Sequence, residues 1–196
     1  LVGSEMCIRD RPGCSVLLSL LLFPQEALRR PPVLTAWAAV SVCETIRQLT
    51  GVAAMIKWPN DVLLRAKKVC GILIEQSRGT VVGIGLNVRQ TAEAFLEAEL
   101  DATSLNQIAA ESLSTERVAR TLLGILDEQY ARLVRGDLTT LEEAWKHHLG
   151  LVGRPVVAEC TSGVHRGELR HLSFDVVELQ RTGQPALFVR PEQVQH

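Results

Sequence analysis

The sequence predicts an α/β (α+β) chain in which a sheet with flanking helices is followed by a small β-barrel, and three features carry that prediction. The first is the stretch Lys57 to Val88, KWPNDVLLRAKKVCGILIEQSRGTVVGIGLNV, in which two β-rich runs are joined by a short glycine-containing linker. The second is a pair of helical patterns, Val33 to Thr50 and the apolar stripe Val118, Leu122, Leu126, Tyr130 and Leu133. The third is a change of texture at Gly150, after which short strand-like runs alternate with turn residues.

A chain of 196 residues, 46% of them hydrophobic, suits one medium domain with a core and one small domain. With 21 basic against 22 acidic residues the net charge is −1, which excludes the large cationic field of a nucleic-acid or membrane binder. No recognition helix stands out. The five cysteines, Cys7, Cys14, Cys43, Cys70 and Cys160, are scattered without a Cys-x-x-Cys, which argues against a disulfide framework or zinc site. Reduced thiols in a cytoplasm are the plain expectation.

Leu1 to Arg11, LVGSEMCIRDR, is aperiodic and reads as adapter- or vector-derived sequence, so it stands outside the fold expectation. Joined to Arg9 and Arg11, the apolar run Cys14 to Phe23 has the length of a secretory signal core. Pro24-Gln25-Glu26 follows it, however, without a small-residue cleavage site. A run of 10 residues is also too short to span a bilayer. Its continuous apolar character predicts a strand buried on both faces.

Pro31-Pro32 before Val33 to Thr50, with Gly51 just beyond, has proline and glycine where a helix starts and stops. Trp37, Val40 and Cys43 share a face that belongs in the core. Val52 to Ile56 and Val62 to Leu64 read as short strands entering and leaving the corner Lys57-Trp58-Pro59-Asn60-Asp61. After the hairpin, Ala92 to Glu99 suits one or two helical turns. Thr103 or Ser104 suits a helix cap, Ser114 caps the long amphipathic helix, and Gly136 ends it. In the helix Leu141 to Leu149, Trp145 packs inward, while His147-His148 reads as a solvated edge because adjacent helical residues cannot face one ligand. Pro155 to Cys160, Gly167 to Leu172, Val176 to Gln180 and Ala186 to Arg190 are the strands of the small barrel.

The run Val81 to Val88 is the informative strand. Side chains alternate, so Val82, Ile84, Leu86 and Val88 face one way and Gly83, Gly85 and Asn87 the other. Two glycines on one face let a ligand or another element approach the backbone, a close helix crossing being the competing explanation. Asn87, whose amide both donates and accepts, favours the ligand.

Three motifs in this order, Lys57-Trp58-Pro59-Asn60-Asp61, Lys67-Lys68-x-x-Gly71-Ile72-Leu73-x-Glu75 and Gly83-Ile84-Gly85-x-Asn87-Val88, resemble the catalytic domain of biotin protein ligases. The resemblance implies a mixed β-sheet with flanking helices of the biotin/lipoate ligase type, akin to class II tRNA synthetases, over residues 12–149. Residues 150–196 resemble the SH3-like C-terminal domain of bacterial members. The family's Gly-Arg-rich biotin loop lies just upstream of the first strand and is not matched, since Arg9 and Arg11 do not reproduce its pattern. The catalytic domain is therefore expected without its N-terminal part.

That family activates biotin with ATP to biotinyl-5'-AMP and passes biotin to a lysine of the carrier domain of a carboxylase. Bringing a carboxylate to ATP requires fixed positive charge, with Mg²⁺ on the polyphosphate. By resemblance Lys68 is the catalytic lysine that contacts the biotin carboxylate and adenylate phosphate, and Lys67 is its solvated neighbour. On the residues alone, a lysine pair is an ordinary surface feature. The resemblance further implies that Gly71, Leu73, Gly83 and Gly85 line biotin, Leu73 walling its apolar part. It places Asn60, Asp61 and Asn87 at the nucleotide, with Asp61 orienting either Mg²⁺ or the incoming carrier lysine, although an Asn-Asp turn also serves backbone capping.

Regular alternation from Lys68 would turn its side chain away from Gly71 and Leu73, so either Lys68 precedes the strand or a bulge resets the register. Asp101 to Leu105 resembles a short segment near the nucleotide. A homodimer is compatible with the resemblance, and no nucleic acid or membrane partner is expected. Two alternatives stand beside the biotin reading: a lipoate or octanoate ligase or transferase of the same fold, and a truncated remnant that binds without turnover.

Overall fold

The computed structural model describes residues 13–160 and 163–194. The expected adapter segment, residues 1–11, lies outside them. The first strand, β1 (Ser15–Leu22), leads through a turn of 3₁₀ helix to α1 (Pro31–Thr50). Four strands follow: β2 (Met55–Lys57), β3 (Asp61–Leu64), β4 (Lys67–Gln76) and β5 (Thr80–Asn87). They form one sheet in the order β1-β5-β4-β3-β2 with every ladder antiparallel; the parallel pairing is an isolated bridge, Lys68 to Ala102.

The glycine and proline signals of α1 are obeyed, with proline in its first turn and Gly51 in the left-handed region at φ 72°. The helix is buried on nearly every side because α3 (Thr115–Val134) and α4 (Leu138–Leu149) cover it on one flank and the sheet on the other. Ser41 and Thr45 have no water to bond and donate instead to the carbonyls of Trp37 and Ser41, at 2.7 and 2.8 Å. Trp37 donates its indole N–H to Leu126 of α3 at 3.1 Å. Ser114 and Gly136 cap and end α3 as their residue types predict, Ser114 accepting from Arg117 N–H at 3.1 Å and Gly136 adopting φ 89°. The short helix α2 (Ala92–Glu97) is capped by Thr91.

Two expectations change. The run around β1 is not covered on both faces by the described residues: β1 is an edge strand whose burial alternates, leaving Leu17 59% and Leu21 62% exposed. Continuous apolarity signals two-sided burial only when both layers are present. His148 is no solvated edge either. Its side chain is 10% exposed, with Nδ1 3.1 Å from Ala54 O and Nε2 3.7 Å from Glu44, because α4 packs this flank on the segment entering β2. His147 alone is exposed.

Beyond α4 the strands β6 (Pro155–Cys160), β7 (Gly163–Leu172), β8 (Val177–Gln180) and β9 (Leu187–Val189) make an antiparallel four-stranded sheet. A bridge from Val194 back to Cys160 curls it on itself. Three aromatic rings join this sheet to the first: Trp58 lies 5.7 Å from Trp145, which stacks on Phe174 at 5.1 Å. Around them, Trp58 donates to Val194 O at 3.1 Å, Glu142 accepts from Phe174 N–H at 2.9 Å, and Arg30 pairs with Asp175 at 2.9 Å.

Candidate functional site

The site begins with register. Across the sheet Leu17 pairs with Gly85, Gly85 with Gly71, Gly71 with Asp61, and Asp61 with Lys57, so these side chains share one face. The next row holds Ser19, Gly83 and Leu73. Behind them Val82, Ile84 and Leu86 are buried against the core, as alternation requires. The glycines are thus paired across strands, Gly71 against Gly85, which clears a shelf two strands wide. A Cβ placed on Gly83 would meet only Leu73, at 3.7 Å, an ordinary contact between neighbouring strands rather than a crossing helix.

Lys68 reaches this face through a local irregularity. Arg65 and Ala66 form a two-residue connection between β3 and β4 with φ of 50° and 64°, the left-handed pair that joins twisted strands tightly. Lys68 then pairs with Leu63, whereas Cys70 pairs with Val62, so Val69 is an extra residue. Val69 and Cys70 both turn into the core, and Lys68 is left on the shelf side. The bulge resolves the register difficulty. The Lys68 amine sits 2.6 Å from Asp61 Oδ1, with both side chains partly shielded from solvent.

The corner that carries Asp61 is tied down from two sides. Asn60 donates its side-chain amide to Ile72 O at 2.7 Å and accepts from Ile72 N–H at 3.0 Å through its own carbonyl, locking the corner to β4. The Trp58-Pro59 peptide is cis, and Trp58 points to the second sheet. Leu73 stands exposed beside Gly83, an apolar wall at the edge of the shelf. Lys67 is at the surface, 3.9 Å from Asp101.

Asn87 is not where the sequence suggested. It is 2% exposed, its amide donating to Thr103 O at 3.1 Å and its oxygen accepting from Gln90 at 3.2 Å. The last residue of β5 lies under the segment 101–105 and cannot present its amide to the shelf surface. Ser104 likewise does not cap with its side chain: it precedes the 3₁₀ turn Leu105–Gln107 but donates its hydroxyl to Gln90 O at 2.6 Å. The bond that matters at this segment is to the lysine, since Thr103 N–H donates to Lys68 O at 2.9 Å. Nothing in the local sequence marks Gln90 or Ala102 for this; only their neighbours in space do.

Among the described residues no cluster of three His, Cys, Asp or Glu forms a metal site. A magnesium ion carried on a nucleotide asks for less, one or two carboxylates beside the phosphates, and Asp61 offers one. None of the helices among the described residues is long and apolar enough to cross a membrane.

The antiparallel sheet that carries this shelf, backed by a buried helix, has the fold of the biotin protein ligases. The structure of the enzyme from Aquifex aeolicus in complex with biotin and ATP superposes with a TM-score of 0.77 over 93% of this chain and 78% of that one, at 24% identity. A mutant form of the same enzyme in complex with biotin matches at 25% identity over 93% of this chain and 77% of that one, again at a TM-score of 0.77. Residues 10–90 match the model of the Biotin/lipoate A/B protein ligase family. The bifunctional ligase/repressor BirA of Bacillus subtilis is 32% identical over 182 residues, covering 89% of this chain and 56% of its own length. A biotin--[acetyl-CoA-carboxylase] ligase of Mycobacterium tuberculosis is 38% identical over 110 residues, 51% of this chain and 39% of its own. The chain thus spans only about half or less of the length of these curated relatives.

Proposed function

We propose that this chain is the catalytic portion of a biotin protein ligase, activating biotin with ATP to biotinyl-5'-AMP and passing it to a lysine of a biotin carboxyl carrier domain. The observation that carries the reading is the shelf of paired glycines, Gly71 and Gly85, lying in the same row as Asp61 with Lys68 beside it. An apolar bicycle can lie flat on backbone cleared of side chains, with Leu73 against it. Lys68 supplies the cation that two mutually repelling anions require. In the first step a biotin carboxylate oxygen bonds the α-phosphorus as the bond to the β-phosphate bridging oxygen breaks and pyrophosphate leaves. In the second, the carrier lysine's amine bonds the carbonyl carbon, loses a proton and expels AMP.

In this reading Asp61 holds the Lys68 amine over the shelf until substrate anions share it, and Asn60 keeps Asp61 in register with Gly71. Mg²⁺, when bound with ATP, neutralises the polyphosphate, with Asp61 as its protein carboxylate. Asn87 serves the nucleotide end indirectly, through the backbone it holds. Residues 12–149 form the catalytic domain in this assignment, and 150–196 an SH3-like unit docked on the Trp58 corner. The reduced thiols of Cys14, Cys43, Cys70 and Cys160 fit a cytoplasmic protein.

A lipoate ligase uses the same fold, and substrate choice separates the two. Pyrophosphate release from ATP is expected with biotin and not with lipoate or octanoate, followed by label transfer to a carrier domain. Release with lipoate alone would overturn the biotin reading, and release with neither would leave a binding remnant.

A further inference from the structure

We infer that Ser104, anchored on Gln90, is a positioning residue for Lys68, acting through the segment 101–103; the inference rests on Lys68 being the cation of the proposed adenylation. Lys68 occupies a weak point of the sheet. It follows the left-handed turn Arg65-Ala66 and directly precedes the extra residue of the bulge, so the β3–β4 ladder is interrupted beside it. Its backbone is held from the other side instead. Lys68 N–H donates to Asp101 O at 3.4 Å and Lys68 O accepts from Thr103 N–H at 2.9 Å, bracketing the residue about Ala102.

The bracket is itself irregular chain, and side chains anchor it. Thr103 O accepts from the Asn87 amide at 3.1 Å, and Ser104 donates to Gln90 O at 2.6 Å. The backbone carbonyl of Gln90 receives the second bond, and its side chain sets the direction of the first. Its oxygen accepts from Val88 N–H at 3.0 Å, while its amide nitrogen donates to Asn87 Oδ1 at 3.2 Å, which turns the Asn87 amide nitrogen toward Thr103. Asn87, Gln90, Thr103 and Ser104 are all buried, and a buried network whose members are satisfied fixes one arrangement rather than several. The exposed Lys67–Asp101 pair adds little hold of its own. Release of Ser104 therefore leaves the 101–103 segment held by the Asn87–Thr103 bond and its flanking contacts alone, a looser hold that lets the Lys68 backbone, and with it the amine, shift from the shelf. Misplacement of about 1 Å at a reacting group lowers turnover by on the order of a hundredfold.

The test uses Ser104→Ala, with Ser104→Cys as a second variant that fills the space but donates weakly. Each is made alone and with Lys68→Ala in the full chain. Steady-state pyrophosphate release gives kcat and KM for ATP, and ¹³C-NMR of the reductively methylated protein follows the Lys68 amine without substrates. Both single variants are expected to lower kcat roughly ten- to a hundredfold with KM for ATP within about twofold, and to shift and broaden the Lys68 signal. Neither should lower activity further once Lys68 is alanine. An equal loss in the Lys68→Ala background, a rise in KM for ATP alone, or an unmoved Lys68 signal overturns the positioning role. Should the parent chain release no pyrophosphate, the ligase reading falls, and the NMR signal still decides whether Ser104 positions the amine.

Discussion

The Lys68 amine and the Asp61 carboxylate, 2.6 Å apart, form the ion pair at the rim of the shelf, and their value lies in placement more than in stability. Lys68→Ala is expected to lower adenylation by on the order of a hundredfold or more, while changing unfolding free energy by no more than about 1 kcal/mol because the pair is part-exposed. Pyrophosphate release and a urea midpoint measure the two effects. Gly85→Val is the complementary case, adding a branched side chain opposite Gly71 where a β-strand tolerates one. Titration calorimetry should find biotin affinity at least about tenfold weaker with the fold intact; unchanged affinity would return the glycines to a packing role. Cys43 illustrates the opposite environment. Burial, with the charge of Glu44 adding, pushes its thiol up to about 12, so thiolate is negligible at neutral pH. Mass spectrometry after iodoacetamide should find Cys43 unmodified in native protein and modified once unfolded.

Each element carries its own balance of propensity and context. The helix α1 follows its punctuation because proline and glycine act locally, whereas the turn into β4 goes against residue preference: Arg65 and Ala66 take the left-handed region without glycine. Ala66→Gly removes a steric cost of about 1–2 kcal/mol against some added chain entropy. A net gain of about 0.5–1 kcal/mol is therefore expected, read as a higher denaturation midpoint. Loss of stability would show that the Ala66 side chain is itself a needed contact. The bulge at Val69 is the sheet's device for aiming Lys68, placing consecutive residues of β4 in the core so that the residue before them is returned to the shelf.

At the scale of the whole molecule, the two sheets are joined where the site's own corner meets the second sheet. Trp145 is buried between Trp58, next to the Asn60-Asp61 corner, and Phe174 of the β7–β8 connection. Trp145→Ala should cost about 3–5 kcal/mol, visible as a lower urea midpoint and a changed tryptophan signal. It should also slow adenylation, because the Trp58 corner loses its backing. If turnover at a temperature well below the midpoint stays at the parental rate, the second sheet stabilises the fold without bearing on the site.

The sequence by itself determined what depends on near neighbours: the start and stop of α1 and α3, the β4–β5 hairpin, and the clearing of one face by Gly83 and Gly85. These follow from φ preferences and from the period of a strand, which a chain carries wherever it is placed. It also carried, through three motifs, the resemblance that the Biotin/lipoate A/B protein ligase match supports over residues 10–90. Only the tertiary structure decided that Val69 bulges, that Gly71 pairs with Gly85, that Asn87 turns inward to Thr103, and that Trp58 reaches Val194. A bulge and an amide's direction are settled by partners distant in the chain, whose bonds compete with the local preferences that a sequence displays.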